Sequence, residues 1–421
     1  MPEQNKLTFK SAFFTVFMPF AMGFILSCLF RTMNAVLSPA LEKSISIPIS
    51  ALGLLTSVYF LAYGLFQIPL GTLLDRFGSK KVQFCLFIIA AVGLFYFSQA
   101  KNIYELAIAH VLIGLGMAGG LMAAFKIIVQ WFSSKQLIIL NGVMMTFGGI
   151  GILLSATPTE YLTQLLGWRH VIMLYGIVTI IVALIILLVV PETNTAIEKT
   201  SFKAQFKGIL EIYRTPLFWQ IAPLVASILG SFMAIQALWI EGWMRDVNHL
   251  SQPQINNYLL LIGIAMTVSL LGSGFIARWV ERYSITMIQL LGFFAVLFLI
   301  DQLIIILKLP VSPVIIWFMY GFLSHKFNLC YAIFANHFPK THTARANAAL
   351  NVITFLVVFA VQYLIGVIIN FWHATIPNHY PVIAWQAAFG FVLLLQAASF
   401  VWYVFSSVKS KSALLNAEVS Y

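Results

Sequence analysis

Charge is what this sequence has least of. Only 9% of its 421 residues are Asp, Glu, Lys or Arg, and 61% are hydrophobic, whereas a soluble domain carries roughly 25% charged residues. That scarcity excludes an ordinary water-soluble fold. Acids are the rarer sign, 13 against 24 Lys and Arg. Cysteine is nearly absent too: Cys28, Cys85 and Cys330 sit inside apolar runs without paired spacing, which argues against disulfides and against a metal site. No Ser/His/Asp set, paired carboxylates or metal-ligand cluster falls at a common depth, so no enzyme, cofactor or metal is expected. Nucleotide-binding motifs, alternating strand patterns and Asn-x-Ser/Thr sequons are likewise missing.

What is there is a series of apolar runs of the length that crosses a hydrocarbon core of ~30 Å as helix. In lipid the backbone must satisfy its own hydrogen bonds, so helices are the reading for each run. Twelve spans are expected, at 12–38, 51–73, 82–99, 105–131, 137–156, 169–190, 217–243, 255–277, 285–307, 312–334, 347–371 and 382–405. The first is too long for a cleavable signal and lacks a small-residue cleavage site.

The net charge of +11 invites a nucleic-acid reading, but its distribution opposes one. With the N-terminus inside, sixteen Lys and Arg fall in internal segments and five in outer loops. That asymmetry places both termini in the cytoplasm and the chain in a cytoplasmic (cell inner) membrane, its lipid bilayer the one macroscopic partner. The short loops offer no obvious surface for self-association, and a monomer is expected.

The longest internal polar segment splits the spans six and six. It suggests bundles at 1–191 and 216–421 joined by a linker at 192–215, where Lys199, Lys203 and Lys207 recur every fourth residue as in an amphipathic surface helix. GTLLDRFG at 71–78 and GFIARWVER at 274–282 are candidate copies of one element in the two halves, though Asp75 then stands opposite Arg278.

The stretch QIPLGTLLDRFGSKK (67–81) resembles the loop signature of the major facilitator superfamily, with Gly71, Asp75, Arg76, Gly78, Lys80 and Lys81 all in register. Its placement between the second and third spans matches as well. Physically, Gly71 lets a neighbouring helix approach, Asp75 can pair across helices or cap one, and Gly78 permits a sharp reversal. The resemblance implies an all-α membrane fold of two pseudo-symmetric six-helix bundles, with this cluster holding one state of an alternating-access cycle. In HVLIGLGMAGG (110–120), His110 replaces the family's usual arginine; it is either a packing residue or a proton relay. TFGGIGILLSATP (146–158) lacks the Gly-Pro-x-x-Gly-Gly element of proton-driven drug exporters.

Within spans a charge costs roughly 2.5–3.5 kcal/mol on insertion scales, and four basic residues there stand out as functional candidates: Arg31, Lys126, His325 and Lys326. Lys126 either snorkels to the inner interface or faces the interior, and Lys326 is too central to snorkel but can pair with Asp301. Arg31 stands eight residues before Pro39, about 12 Å from that point at helical rise. Glu241 either faces water or pairs with Arg245 one turn on. The family resemblance assigns the central cavity to spans 1, 4, 7 and 10, which here carry Arg31; Lys126; Gln236, Trp239 and Glu241; and His325 with Lys326. RTMNAVLSPAL (31–41) is also similar to the Arg-x-x-Asn…Pro pattern of the superfamily's organic-anion transporters, whose arginine binds substrate. Arg31 and Asn34 match, and Phe30 replaces the preceding aspartate. Tyr59, Tyr63 and Gln67 share one helical face and either line the path or pack.

The expected function is secondary active transport of a small organic anion, a carboxylate- or phosphate-bearing metabolite with polycarboxylates included. Uptake coupled to H+ through His110, Glu241 or Asp301 is the first choice. A proton-driven exporter of drugs or metabolites, and a transporter-like sensor without flux, are the alternatives.

Overall fold

In this computed structural model, residues 8–45, 49–192, 202–281, 283, 285–338, 340–373 and 379–418 are described, and no strand element forms among them. Twelve helical spans do. Span 1 is Phe9–Thr32 continued by Asn34–Ile45, and spans 2 and 3 form one run, Ile49–Gln99, reversed at Gly78. Span 4 is Ile103–Met117 with Gly120–Trp131, span 5 Ser134–Ser155 with Thr157–Leu166, and span 6 Trp168–Val189. A short helix, Phe202–Ile212, lies in the linker; Lys199 is outside the described residues. The second half holds span 7 (Pro216–Ala234 through Ile240–Asp246), span 8 (Gln252–Glu281) and span 9 (Met287–Leu307). Span 10 (Pro313–Ser324 through Leu329–His337), span 11 (Lys340–Ile369) and span 12 (Val382–Glu418) complete it.

Local chemistry accounts for where these helices start. Asn102 accepts the Glu105 backbone N–H at 3.0 Å and Glu105 accepts from Asn102 and from the Lys101 N–H, a reciprocal cap at the head of span 4. Thr286 with Gln289 and Ser133 with Gln136 form capping boxes before spans 9 and 5. Pro216 and Pro313 open spans 7 and 10, where the missing N–H costs nothing. Gly78 turns the chain with φ 79° and ψ 156°, a region closed to residues with a Cβ.

Span 1 runs farther than the apolar pattern suggested. Pro39 does not end it, because the helix restarts at Asn34 and Ser38 Oγ donates to the Ala35 carbonyl at 3.0 Å, the acceptor that the proline leaves free. Spans 11 and 12 also outrun their apolar cores, since polar residues extend a helix as readily as apolar ones.

An even number of spans puts the reversal at Gly78, the linker and both ends of the chain on one side, here called the linker end. At the opposite, far end the halves close on each other. Gln362 of span 11 donates to Thr56 Oγ1 of span 2 at 2.8 Å, and Asn256 of span 8 donates to Glu160 of span 5 at 2.7 Å. Trp239 donates to the Gln362 carbonyl at 3.2 Å, and a Cβ on Gly53 would come within 3.0 Å of its ring. Deeper down, the Tyr63 and Phe355 rings meet at 4.7 Å.

Span 7 is the most enclosed of the long apolar helices. The four helices expected to line the interior are all interrupted: span 1 at Met33, span 4 at Ala118 and Gly119, span 7 by a π-helical stretch at Ile235–Trp239, and span 10 by a 3-10 stretch at His325–Asn328. Such interruptions free backbone groups and redirect side chains inside a membrane protein. Close packing positions span 4 against span 2, because a Cβ on Gly114 would lie 2.4 Å from the Tyr59 carbonyl oxygen. Gly114→Val is therefore expected to destabilise the fold by about 1–3 kcal/mol through overpacking; a melting temperature in detergent equal to that of the parent would contradict this.

Candidate functional site

Arg31 is the penultimate residue of the first segment of span 1, Met18–Thr32, just before the break at Met33, and the 12-residue segment Asn34–Ile45 follows. At helical rise that sets it about 21 Å from the far tip of the helix, deeper than the position of Pro39 suggested. It keeps accessible surface although its neighbours on the same helix, Phe30 and Thr32, are buried. Among the described residues the one hydrogen-bond contact of its guanidinium is a long one, 3.8 Å from Nη2 to Cys28 Sγ one turn back. Tyr59, Tyr63 and Cys28 lie within its electrostatic reach, and so does His325 from the other half. No described carboxylate does. Asp75, Glu105, Glu160, Glu192, Glu241 and Asp246 engage other residues, while Asp301 acts on Tyr320. A guanidinium in the bundle interior, uncompensated by any acid, is built to meet an anion.

Around it stand groups that can hydrogen-bond without adding charge. Tyr59 is 1% exposed and its hydroxyl has no hydrogen-bond partner. Tyr63 adjoins it at 6.1 Å between ring centroids. From the second half come His325, partly exposed, and Tyr331, which lies within electrostatic reach of Tyr63 and whose hydroxyl donates to Asn351 Oδ1 at 2.9 Å. His325 contacts Ser324 Oγ through Nδ1 at 3.0 Å and sits edge-on to Phe232. Arg31, Tyr59, Tyr63 and His325 thus come together from spans 1, 2 and 10.

The remaining candidates are placed elsewhere. Lys126 Nζ lies 2.6 Å from Asp75 Oδ1, so span 4 brings the Gly71–Asp75–Arg76–Gly78 loop a cation rather than offering one to the centre. Arg76 itself is exposed beside Phe77. Lys326 is wholly buried; its ammonium donates to the Ser269 carbonyl at 2.9 Å and sits 4.3 Å from the Phe322 ring. The pairing with Asp301 does not form. Asp301 is buried on span 9, with Oδ2 lacking a hydrogen-bond partner. Asn34 and His110 are buried together, Nε2 to Oδ1 at 3.3 Å, and His110 Nδ1 meets the Leu106 carbonyl at 2.9 Å. Gln67 donates to the Ala118 carbonyl beside the break in span 4. Glu241 is buried and accepts from Gln252, and Arg245 reaches Asp246 at 2.9 Å. Trp239 is engaged in the far-end closure. Gln236 donates to Met266 Sδ and borders a cavity of about 130 Å³ between spans 1, 5, 7 and 8, with Thr32, Ser155 and Asn256.

Cys28 and Tyr331 were not singled out from the sequence. Cys28 stands three residues before Arg31, a spacing that signals a shared helix face. Tyr331 carries no local signal, since only the docking of the two halves brings it within electrostatic reach of Tyr63.

The sequence profile described as the Major Facilitator Superfamily matches residues 20–327. A nitrate/nitrite transporter of Nostoc punctiforme is 25% identical over 47% of this chain and 40% of its own length. A nitrite extrusion protein of Bacillus subtilis is 24% identical over 57% of this chain and 59% of its own. A probable L-galactonate transporter of Escherichia coli is 20% identical over 61% and 60%. The chain thus spans 40–60% of the length of these relatives. Among solved structures, a bacterial homolog of the human lysosomal transporter Spinster superposes with a TM-score of 0.76 at 15% identity, covering 95% of this chain and 98% of that one. The nucleoside transporter NupG does so at 0.70 and 13%, covering 92% and 98%. These likenesses under 25% identity concern the fold.

Proposed function

Because the chain belongs to the major facilitator superfamily, whose profile covers residues 20–327, we propose that it is a secondary active transporter of a small organic anion, held in the cytoplasmic membrane with both termini inside. The observation that carries this reading is Arg31, a permanent cation in the bundle interior with accessible surface and no described carboxylate in reach. A cation so placed costs free energy in the empty protein and regains it when an anion arrives. Relatives named for nitrate, nitrite and L-galactonate, all anions, support the same class.

In this reading Arg31 binds the carboxylate or phosphate, with Tyr59, Tyr63 and His325 around it. The loop at Gly71–Gly78, with Asp75 held by Lys126, steadies one state of the cycle. The far-end closure through Thr56–Gln362 and Glu160–Asn256 opens in the other state. Coupling is to H+, taken through Asp301, Glu241 or His110. Asp301 is favoured among these, since a buried carboxyl with no cation beside it changes its charge by exchanging a proton.

Proteoliposomes carrying the purified protein test this. With an inward proton gradient, a radiolabelled anion that binds the protein is expected to accumulate about tenfold per unit of pH for one-proton symport, and a protonophore is expected to abolish the effect. Accumulation unaltered by the gradient overturns the coupling. Net movement of the anion against an inward proton gradient supports the export alternative, the direction in the name of the Bacillus subtilis relative.

A further inference from the structure

We propose that the Arg31 site takes monoanions and rejects dianions of the same size, a charge selectivity that rests on the reading of this site as an anion site. Sequence alone allowed a centre of three cations, Arg31, Lys126 and Lys326, suited to polycarboxylates. The structure removes two of them from reach. Lys126 is bound to Asp75 at 2.6 Å, and that pair is close to neutral as seen from the centre. Lys326 is 0% exposed, with its ammonium turned into the Ser269 carbonyl and covered by the Phe322 ring. No ligand can touch it without displacing that ring. Its distant field favours any anion and supplies no second anchor.

What remains at the surface of the site is one guanidinium among hydroxyl, amide and imidazole groups. A carboxylate has two oxygens to satisfy. Arg31 offers paired donors to one edge. The hydroxyl of Tyr59, buried and without a hydrogen-bond partner among the described residues, is a donor that a ligand engages by displacing what covers it, whereas the Lys326 ammonium is already spent on Ser269. A buried hydroxyl without a partner is costly to keep and signals a ligand atom that completes it. A second negative charge on the same ligand would find no such reception. Among the described residues no further cation lies beside Arg31, with Lys126 held by Asp75 and Lys326 buried, so the second charge would be desolvated without compensation. Tyr63, and Tyr331 within its reach, are suited to the uncharged body of the ligand.

The test compares ligands that differ in charge and little else. Binding to the purified full-length protein is measured calorimetrically at pH 7 for hexonate, the six-carbon hexarate and the half-amide of hexarate, and for nitrate against sulfate. Each is repeated with Arg31→Gln and Tyr59→Phe. The half-amide and hexonate are expected to bind at least tenfold more tightly than hexarate, and nitrate more tightly than sulfate. Arg31→Gln should remove all of this binding, and Tyr59→Phe should weaken the monoanions severalfold. Hexarate or sulfate binding as tightly as its partner, and still dependent on Arg31, overturns the charge selectivity while leaving the anion site intact. Monoanion binding that survives Arg31→Gln unchanged, or the absence of any monoanion binding, overturns both. Thermal melting and size-exclusion profiles matched to the parent establish that each variant is folded.

Discussion

Arg31→Ala is expected to abolish transport and Arg31→Lys to leave about 1% of it or less, with both variants inserted and folded. Truncating one partner of a buried charge pair costs about 2–5 kcal/mol, and 2.7 kcal/mol is about a hundredfold. Lysine keeps the charge but replaces a planar fork by a point donor, so it does not restore the two parallel bonds a carboxylate uses. The folded state has little to lose. Among the described residues Arg31 makes one weak contact, to Cys28, and no ion pair, so its removal relieves the cost of a desolvated cation. Stability should therefore stay level or rise while uptake falls, the opposite of what a structural arginine would show. Initial rates in proteoliposomes and melting temperatures in detergent measure the two sides. Parent-level uptake by the alanine variant would end the proposal that Arg31 binds substrate.

Asp75→Asn is the second large effect, and it should separate cycling from binding. Lys126 Nζ is 2.6 Å from Asp75, and the side chains are 24% and 39% exposed. Solvent screening at that exposure limits the pair to about 1 kcal/mol of fold stability. Its place matters more, because the loop around Gly78 joins span 2 to span 3 while Lys126 rides on span 4. The pair thus fixes the reversal against span 4 of the same half, and so the linker-end surface that this half presents to the other when the halves rock. Breaking it is expected to cut turnover more than tenfold with anion affinity within threefold of the parent. Lys126→Gln added to Asp75→Asn should recover part of the rate, since a hydrogen-bonding neutral pair replaces an orphaned cation. Equal losses of turnover and affinity in Asp75→Asn would instead make Asp75 part of the binding site.

Much of the architecture was legible because a bilayer imposes one-dimensional rules. Spans are long apolar runs, their ends carry caps such as Asn102 and Thr286, and the loop at 71–81 is contiguous in sequence. Boundaries were less legible, as at Pro39, because the hydroxyl of Ser38 replaces the hydrogen bond that the ring removes. The candidate site was legible by halves. Arg31 announces itself as a charge in an apolar run, and Tyr59 and Tyr63 follow by helical spacing. Tyr331 does not, for it is an ordinary aromatic residue until the second half docks and brings it within reach of Tyr63 on span 2.

The fates of the three intramembrane cations draw the line most clearly. Sequence alone determined that Arg31, Lys126 and Lys326 must each avoid lipid, because hydration is lost there and little replaces it. It also determined the twelve-span topology and the family, since both depend on neighbours along the chain. Which cation would stay open to a ligand was decided only by tertiary structure. Asp75 is 51 residues from Lys126, and Ser269 is 57 from Lys326, and no pattern along the chain states those meetings. Pairing energy falls steeply with distance and depends on a few ångströms of helix placement. The same residues that looked alike in the sequence therefore became one gate contact, one buried anchor and one open charge.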